Sequence, residues 1–132
     1  MAKGYHENQE RLQQLSLLGK PLARRAGRKC ELCEASGVEM RPYEILPVPR
    51  EPSLDCLLLL CETCLQQLKD PRKLQPERWR CLETAIWSTE PGVQVVAARL
   101  LRQLTPNTNW AGGILEMVDL DSEIEAWVQK DS

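Results

Sequence analysis

Four cysteines carry the clearest chemical signal in this chain. They form two pairs of identical internal spacing, Cys30-Glu31-Leu32-Cys33 and Cys61-Glu62-Thr63-Cys64. Two residues between thiols let a tight turn aim both sulfurs at one point. The insert between the pairs is long enough for a hairpin to bring them together. Four thiolates in this pattern suit one tetrahedral Zn2+ in a closed structural site, with no position left for a substrate. Iron in a four-sulfur site is the competitor that ligand type alone leaves open. A single pair would also fit redox chemistry; two pairs followed by a helix favour zinc. A structural zinc contributes about 10–16 kcal/mol in small modules, more than the sparse apolar content around the pairs supplies. Four thiolates and one zinc carry two net negative charges, which Arg28 and Lys29 are placed to offset. Cys56 and Cys81 have no partner at ligand spacing and read as small buried hydrophobes.

The elements that must position the cysteines follow from apolar periodicity. Glu7 to Arg25 reads as helix, with Leu12, Leu15, Leu18 and Leu22 in one stripe and a break expected near Gly19-Lys20-Pro21. Gly27 ends it before the first pair. Residues 38–49 read as an irregular strand and its exit, limited by Pro42, Pro47 and Pro49. Leu57 to Leu60 is a short apolar strand running into Cys61. Leu65 and Leu68 open a helix with Cys64 at its start, where free N–H groups and the helix dipole stabilise thiolate charge. Strand, cysteine pair and helix in that order is the arrangement of a treble clef.

Beyond Pro71 and Pro76 the pattern is helical. One helix is expected over Glu77 to Trp87, with Trp79, Leu82 and Ile86 on a face. Another starts at Pro91 and carries Val93, Val96, Leu100, Leu101 and Leu104. Asn107 to Val118 is a weaker one. Asp121 or Ser122 caps the last, since Ser122 and Glu125 have the capping-box spacing. The predicted fold is α+β and mostly helical. It comprises a helical segment over residues 1–29, a treble-clef or zinc-ribbon-like hairpin module over 30–70, and a helical region over 71–132 packed on that module.

Charge is uneven although the net value is only -2. Residues 1–30 hold seven Lys/Arg and two Asp/Glu, and residues 91–132 hold three Lys/Arg and six Asp/Glu. Lys20, Arg24, Arg25, Arg28 and Lys29 form a basic run with no acid from Ser16 to Cys30. Such a run can neutralise nucleic-acid phosphates without reading sequence. It can equally pair with the acidic segment Glu116, Asp119, Asp121, Glu123 and Glu125. Trp79, Trp87, Trp110 and Trp127 would serve as anchors for a protein partner or, with Phe absent, as core. The apolar run from Cys56 to Cys61 is too short to span a bilayer, and the first residues lack the apolar stretch of an export signal. The expected setting is cytoplasmic, where thiols stay reduced, with no membrane partner. Oligomeric state is not legible.

The layout of cysteine pair, hairpin, cysteine pair and helix is similar to the zinc-stapled form of HNH-type nucleases. Those place a histidine base near the end of the first strand and a histidine or asparagine on the following helix. Here the stretch Arg41-Pro42-Tyr43-Glu44-Ile45-Leu46-Pro47 has no histidine, and Leu65 follows Cys64. The one histidine, His6, lies in the N-terminal segment and is expected to be solvent-exposed. Glu44 alone is a weak candidate base. The chain reads as non-enzymatic, with a degenerate HNH-like nuclease or a purely structural adaptor as the alternatives.

Several segments together carry a more specific likeness: Cys30-Glu31-Leu32-Cys33, Leu59-Leu60-Cys61-Glu62-Thr63-Cys64, Trp79-Arg80-Cys81-Leu82, Trp87-Ser88, Val93-Gln94-Val95-Val96 and Arg99-Leu100. Over residues 22–104 the chain resembles the proteobacterial N-terminal region of the PhnA family, named for an alkylphosphonate-uptake operon. The resemblance implies a zinc-binding N-terminal module with the four paired cysteines as ligands. Fuller members continue into a small β-barrel, which the helical pattern here does not match. No residues for cleaving a carbon–phosphorus bond are visible.

Overall fold

The computed structural model describes the backbone of residues 2–130 and the side chains from Asn8 to Lys130. The fold is α+β: a two-stranded antiparallel hairpin set among helices. No described helix is long and apolar enough to cross a membrane.

Helix α1 runs over Ala2–Ala26 without the break expected at Pro21. Proline removes one intrahelical bond but does not forbid continuation when packing holds both sides. Leu22 is fully buried, Leu15 and Leu18 are half-buried, and Leu12, expected in the same stripe, is exposed. The helix closes on Gly27, which has φ +64°. Gly27 N–H donates to Arg24 C=O at 3.2 Å and Arg28 N–H to Ala23 C=O at 3.0 Å. This pair of bonds satisfies carbonyls left over at the helix end, and glycine takes the left-handed turn at little cost.

Strand β1 (Met40–Glu44) pairs with β2 (Leu57–Cys61), with Met40 opposite Cys61 and Glu44 opposite Leu57. Pro42 sits at the middle of β1, the outer strand, as a proline must. Leu57, Leu58, Leu60 and Cys61 are all buried, with no alternation. The reason is two-sided cover: α1 and α4 (Pro91–Leu104) both pack on β2. Helix α2 (Glu62–Lys69) starts directly at the end of β2.

The expected helix over Glu77 to Trp87 is instead a 3-10 turn, Pro76–Cys81, leading into the short α3 (Leu82–Ala85). Its apolar face is as expected, with Trp79, Leu82 and Ile86 fully buried. Central helix α4 starts with Pro91 in its first turn and buries Val93, Val96, Leu100, Leu101 and Leu104. Gly92 allows close approach to the hairpin: a Cβ there would stand 2.7 Å from Ile45 Cδ1. Helices α5 (Ala111–Met117) and α6 (Ser122–Gln129) flank α4. Asp121, not Ser122, caps α6, accepting from Glu123 N–H at 2.8 Å. Arg99 of α4 closes the other end of α6, donating to the C=O groups of Trp127 (2.6 Å), Val128 (3.1 Å) and Lys130 (3.0 Å).

Candidate metal centre

Two different local structures present the cysteines. The first pair lies on a turn in which Glu34 N–H donates to Cys30 C=O and Cys30 N–H to Ala35 C=O, both at 2.9 Å. Glu34, directly after Cys33, takes the left-handed conformation at φ +64° to complete it. The second pair uses the strand end: Cys61 is the last residue of β2 and the N-cap of α2, and Cys64 lies in the first helical turn. Free N–H groups at that end favour negative charge on sulfur.

The turn is keyed to the hairpin through Glu31. Its N–H donates to Leu59 C=O at 2.8 Å, and its Oε1 accepts from Leu59 N–H at 2.8 Å. Arg25, at the end of α1, donates to Glu31 Oε1 (2.8 Å) and Oε2 (3.3 Å) and to the C=O groups of Leu54 (2.8 Å) and Leu57 (2.6 Å). Helix, turn and strand are thereby fixed to one another by a single guanidinium.

All four sulfurs, of Cys30, Cys33, Cys61 and Cys64, lie within 4.8 Å of one another. Cys30 and Cys64 are 3.7 Å apart, as are Cys33 and Cys61. A regular tetrahedron with zinc–sulfur bonds of about 2.3 Å has sulfur–sulfur edges of about 3.8 Å. The residues therefore fit a tetrahedral, sulfur-liganded ion. Cys30, Cys61 and Cys64 are buried and Cys33 half-buried. Crowded sulfurs interact strongly. The contact with Cys64, opposed by burial and aided by the backbone N–H groups of Cys33, Cys61 and Leu32, pulls the Cys30 thiol down to about 4. The same contact, with burial, raises Cys64. Burial raises Cys33 as well.

The cation in contact with the sulfurs is Arg78, from the 3-10 turn, and not Arg28 or Lys29, which are exposed. Arg78 Nη1 donates to Cys64 Sγ at 3.3 Å, and Nη2 to Cys61 Sγ at 3.6 Å and Cys33 Sγ at 3.8 Å. Burial works against its charge, but bonds to Cys64 and attraction from Cys64 and Cys33 outweigh it and raise its pKa. Its guanidinium also lies over the Trp79 ring, 5.4 Å from the centroid. Trp79 is held in turn by Gln67, a buried side chain whose Oε1 accepts from Trp79 Nε1 (2.6 Å) and Gln75 N–H (3.1 Å).

The other residues singled out in the sequence are placed as follows. Cys56 and Cys81 stand outside the four-sulfur group and are half-buried, not fully enclosed as expected. Burial pushes the Cys81 thiol up to about 11. Glu44 is bound to Arg11, which also donates to the C=O groups of Pro49 (2.9 Å) and Arg50 (3.0 Å). Leu65 is buried. The His6 side chain lies outside the described residues.

Within the basic run, Lys20, Arg24, Arg28 and Lys29 are exposed, whereas Arg25 is turned inward to Glu31. Among the described residues no ion pair joins this run to the acidic segment; Glu125 pairs with Arg102 at 2.6 Å. Of the four tryptophans, Trp79 is fully buried, Trp110 and Trp127 are half-buried, and Trp87 is 59 % exposed.

Comparisons with protein-family models, curated proteins and solved structures found no match for this chain.

Proposed function

We propose that this protein is a non-catalytic zinc-binding module, of treble-clef type, in which one Zn2+ is structural. The observation that carries it is the set of four cysteine sulfurs within 4.8 Å, drawn from a turn and a helix start 28 or more residues apart. Four thiolates saturate a tetrahedral ion, which leaves no position for a substrate. Glu44, the one carboxylate weighed as a base, is engaged by Arg11. The motif-level likeness to the PhnA N-terminal region, and with it a cytoplasmic bacterial setting, belongs to the same proposal. The test is metal stoichiometry on protein purified without added metal, beside Cys61→Ser. About one zinc per chain, lost in the variant, is the expected result. Wild-type protein that folds without metal and takes up none overturns it.

A second reading concerns the partner. Lys20, Arg24, Arg28 and Lys29 are all exposed in a stretch without acids, which favours contact with nucleic-acid phosphates over a purely structural adaptor role. Anisotropy titration of labelled DNA and RNA at several salt concentrations tests it. Affinity should fall steeply with salt and drop in Lys20→Ala/Arg24→Ala; salt-insensitive or absent binding removes it.

A further inference from the structure

We propose that Arg78 is a fixed capping cation that protects the metal-bound sulfurs from attack and slows release of the ion. This rests on the zinc reading above and extends it to the stability of the centre against electrophiles.

The sulfurs share one charged donor. Cys33, Cys61 and Cys64 define one face of the sulfur tetrahedron, and the Arg78 guanidinium donates to all three. The fourth sulfur, Cys30, is buried and lies 3.7 Å from Cys64 Sγ. One guanidinium thus serves three of the four sulfurs. The face that Arg78 covers includes Cys33, the only ligand that is not buried. An N–H···S bond to a charged donor draws electron density from the thiolate and lowers its nucleophilicity. A planar fork spans three acceptors, whereas an ammonium is a point charge. The fork is also held in place: Trp79 lies under it and Gln67 anchors that ring. Arg78 is thus a positioning residue that acts through the ligands.

The experiment uses the full chain loaded with Zn2+, and then with Co2+. An aromatic disulfide reagent is added with a chromogenic chelator. A ligand sulfur attacks the reagent's disulfide and forms a mixed disulfide, one aromatic thiolate leaves, and the freed zinc is captured. Arg78→Met should retain zinc and helical content yet release the ion about tenfold faster, within the range seen when groups bonded to metal ligands are removed. Arg78→Lys, which keeps the charge and the stem, should fall between wild type and Arg78→Met. Arg72→Met, a charge removed from a side chain 92 % exposed, should match wild type.

In the Co2+ form, the sulfur-to-metal charge-transfer band of Arg78→Lys should move to lower energy as the thiolates gain electron density. A merely structural role would not move that band. If Arg78→Met does not fold, the Lys variant's band and release rate decide. A metal-loaded Arg78→Lys with wild-type band and release rate overturns this proposal alone. A wild type that takes up neither ion overturns the zinc reading and this proposal with it.

Discussion

Arg25 Nη2 stands 2.8 Å from Glu31 Oε1, and that contact joins the end of α1 to the middle of the first cysteine turn. The Glu31 side chain is only 6 % exposed and Arg25 16 %. Without Glu31 the Arg25 charge keeps Leu54 C=O, Leu57 C=O and the more distant Glu90 carboxylate at 3.8 Å, so its compensation weakens. Glu31→Gln should cost about 1–3 kcal/mol, measured by urea unfolding of the metal-loaded protein. Arg25→Lys keeps the charge but cannot reach Leu54 C=O and Leu57 C=O with one fork. It should cost about 1–2 kcal/mol.

Gln67 offers a second test. Its carbonyl oxygen accepts from both Trp79 and Gln75, and its amide donates to Gln75 Oε1 at 3.1 Å. Gln67→Leu preserves the volume but leaves the indole N–H and the Gln75 N–H without an acceptor. The expected loss is about 2–3 kcal/mol with metal content unchanged, read by thermal unfolding and zinc analysis together.

Gly92 tests the packing of α4 on the hairpin. The added methyl of Gly92→Ala meets Ile45 Cδ1 at 2.7 Å, and Ile45 is fully buried. Overpacking of this kind costs about 1–3 kcal/mol. Ile45→Val deletes the offending carbon. The double variant should therefore lose less than the sum of the singles, by about 1 kcal/mol in a mutant cycle. Additivity would show that the approach of α4 is not set at this contact.

The Arg102–Glu125 pair predicts a pH dependence. Hydrogen bonding from Arg102, then from Gln129, holds the Glu125 carboxyl below its ordinary value of 4.5. A group whose pKa is depressed by folding contributes stability that is complete above its unfolded value and is lost as pH falls through the folded one. Both side chains are about a third or more exposed, so screening keeps the effect small. Glu125→Gln should cost about 0.5 kcal/mol at neutral pH and nothing in strong acid, measured as the difference between urea midpoints across pH.

The cysteine cluster was legible because its signal is local: each pair is read within four residues, and an apolar strand leads into the second. Leu57 to Leu60 and the run after Pro91 were legible for a similar reason, since burial on all sides leaves few polar residues. Arg78 was not. It reaches sulfurs 14, 17 and 45 residues away, and only the 3-10 turn after Pro76 aims it there. In the sequence it is one arginine in a polar stretch. Arg25 did carry a signal that the basic run obscured: it lies three residues beyond buried Leu22, on the same side of α1. Proline misled at Pro21, where packing at Leu22 and the Arg25 contacts hold the helix through a lost backbone bond. Trp87 has an aromatic type that suggests core, yet it faces outward.

The Glu31–Leu59 bonds also bear on solubility. A two-stranded ribbon ordinarily has two open flanks able to recruit strands from other molecules. Here the inner flank of β2 is occupied at Leu59 by Glu31 from within the chain. The outer strand offers no donor at Pro42, its midpoint. The same carboxylate that orients the first cysteine turn thus denies a foreign strand its footing, so damage to that turn and a tendency to self-associate should arise together.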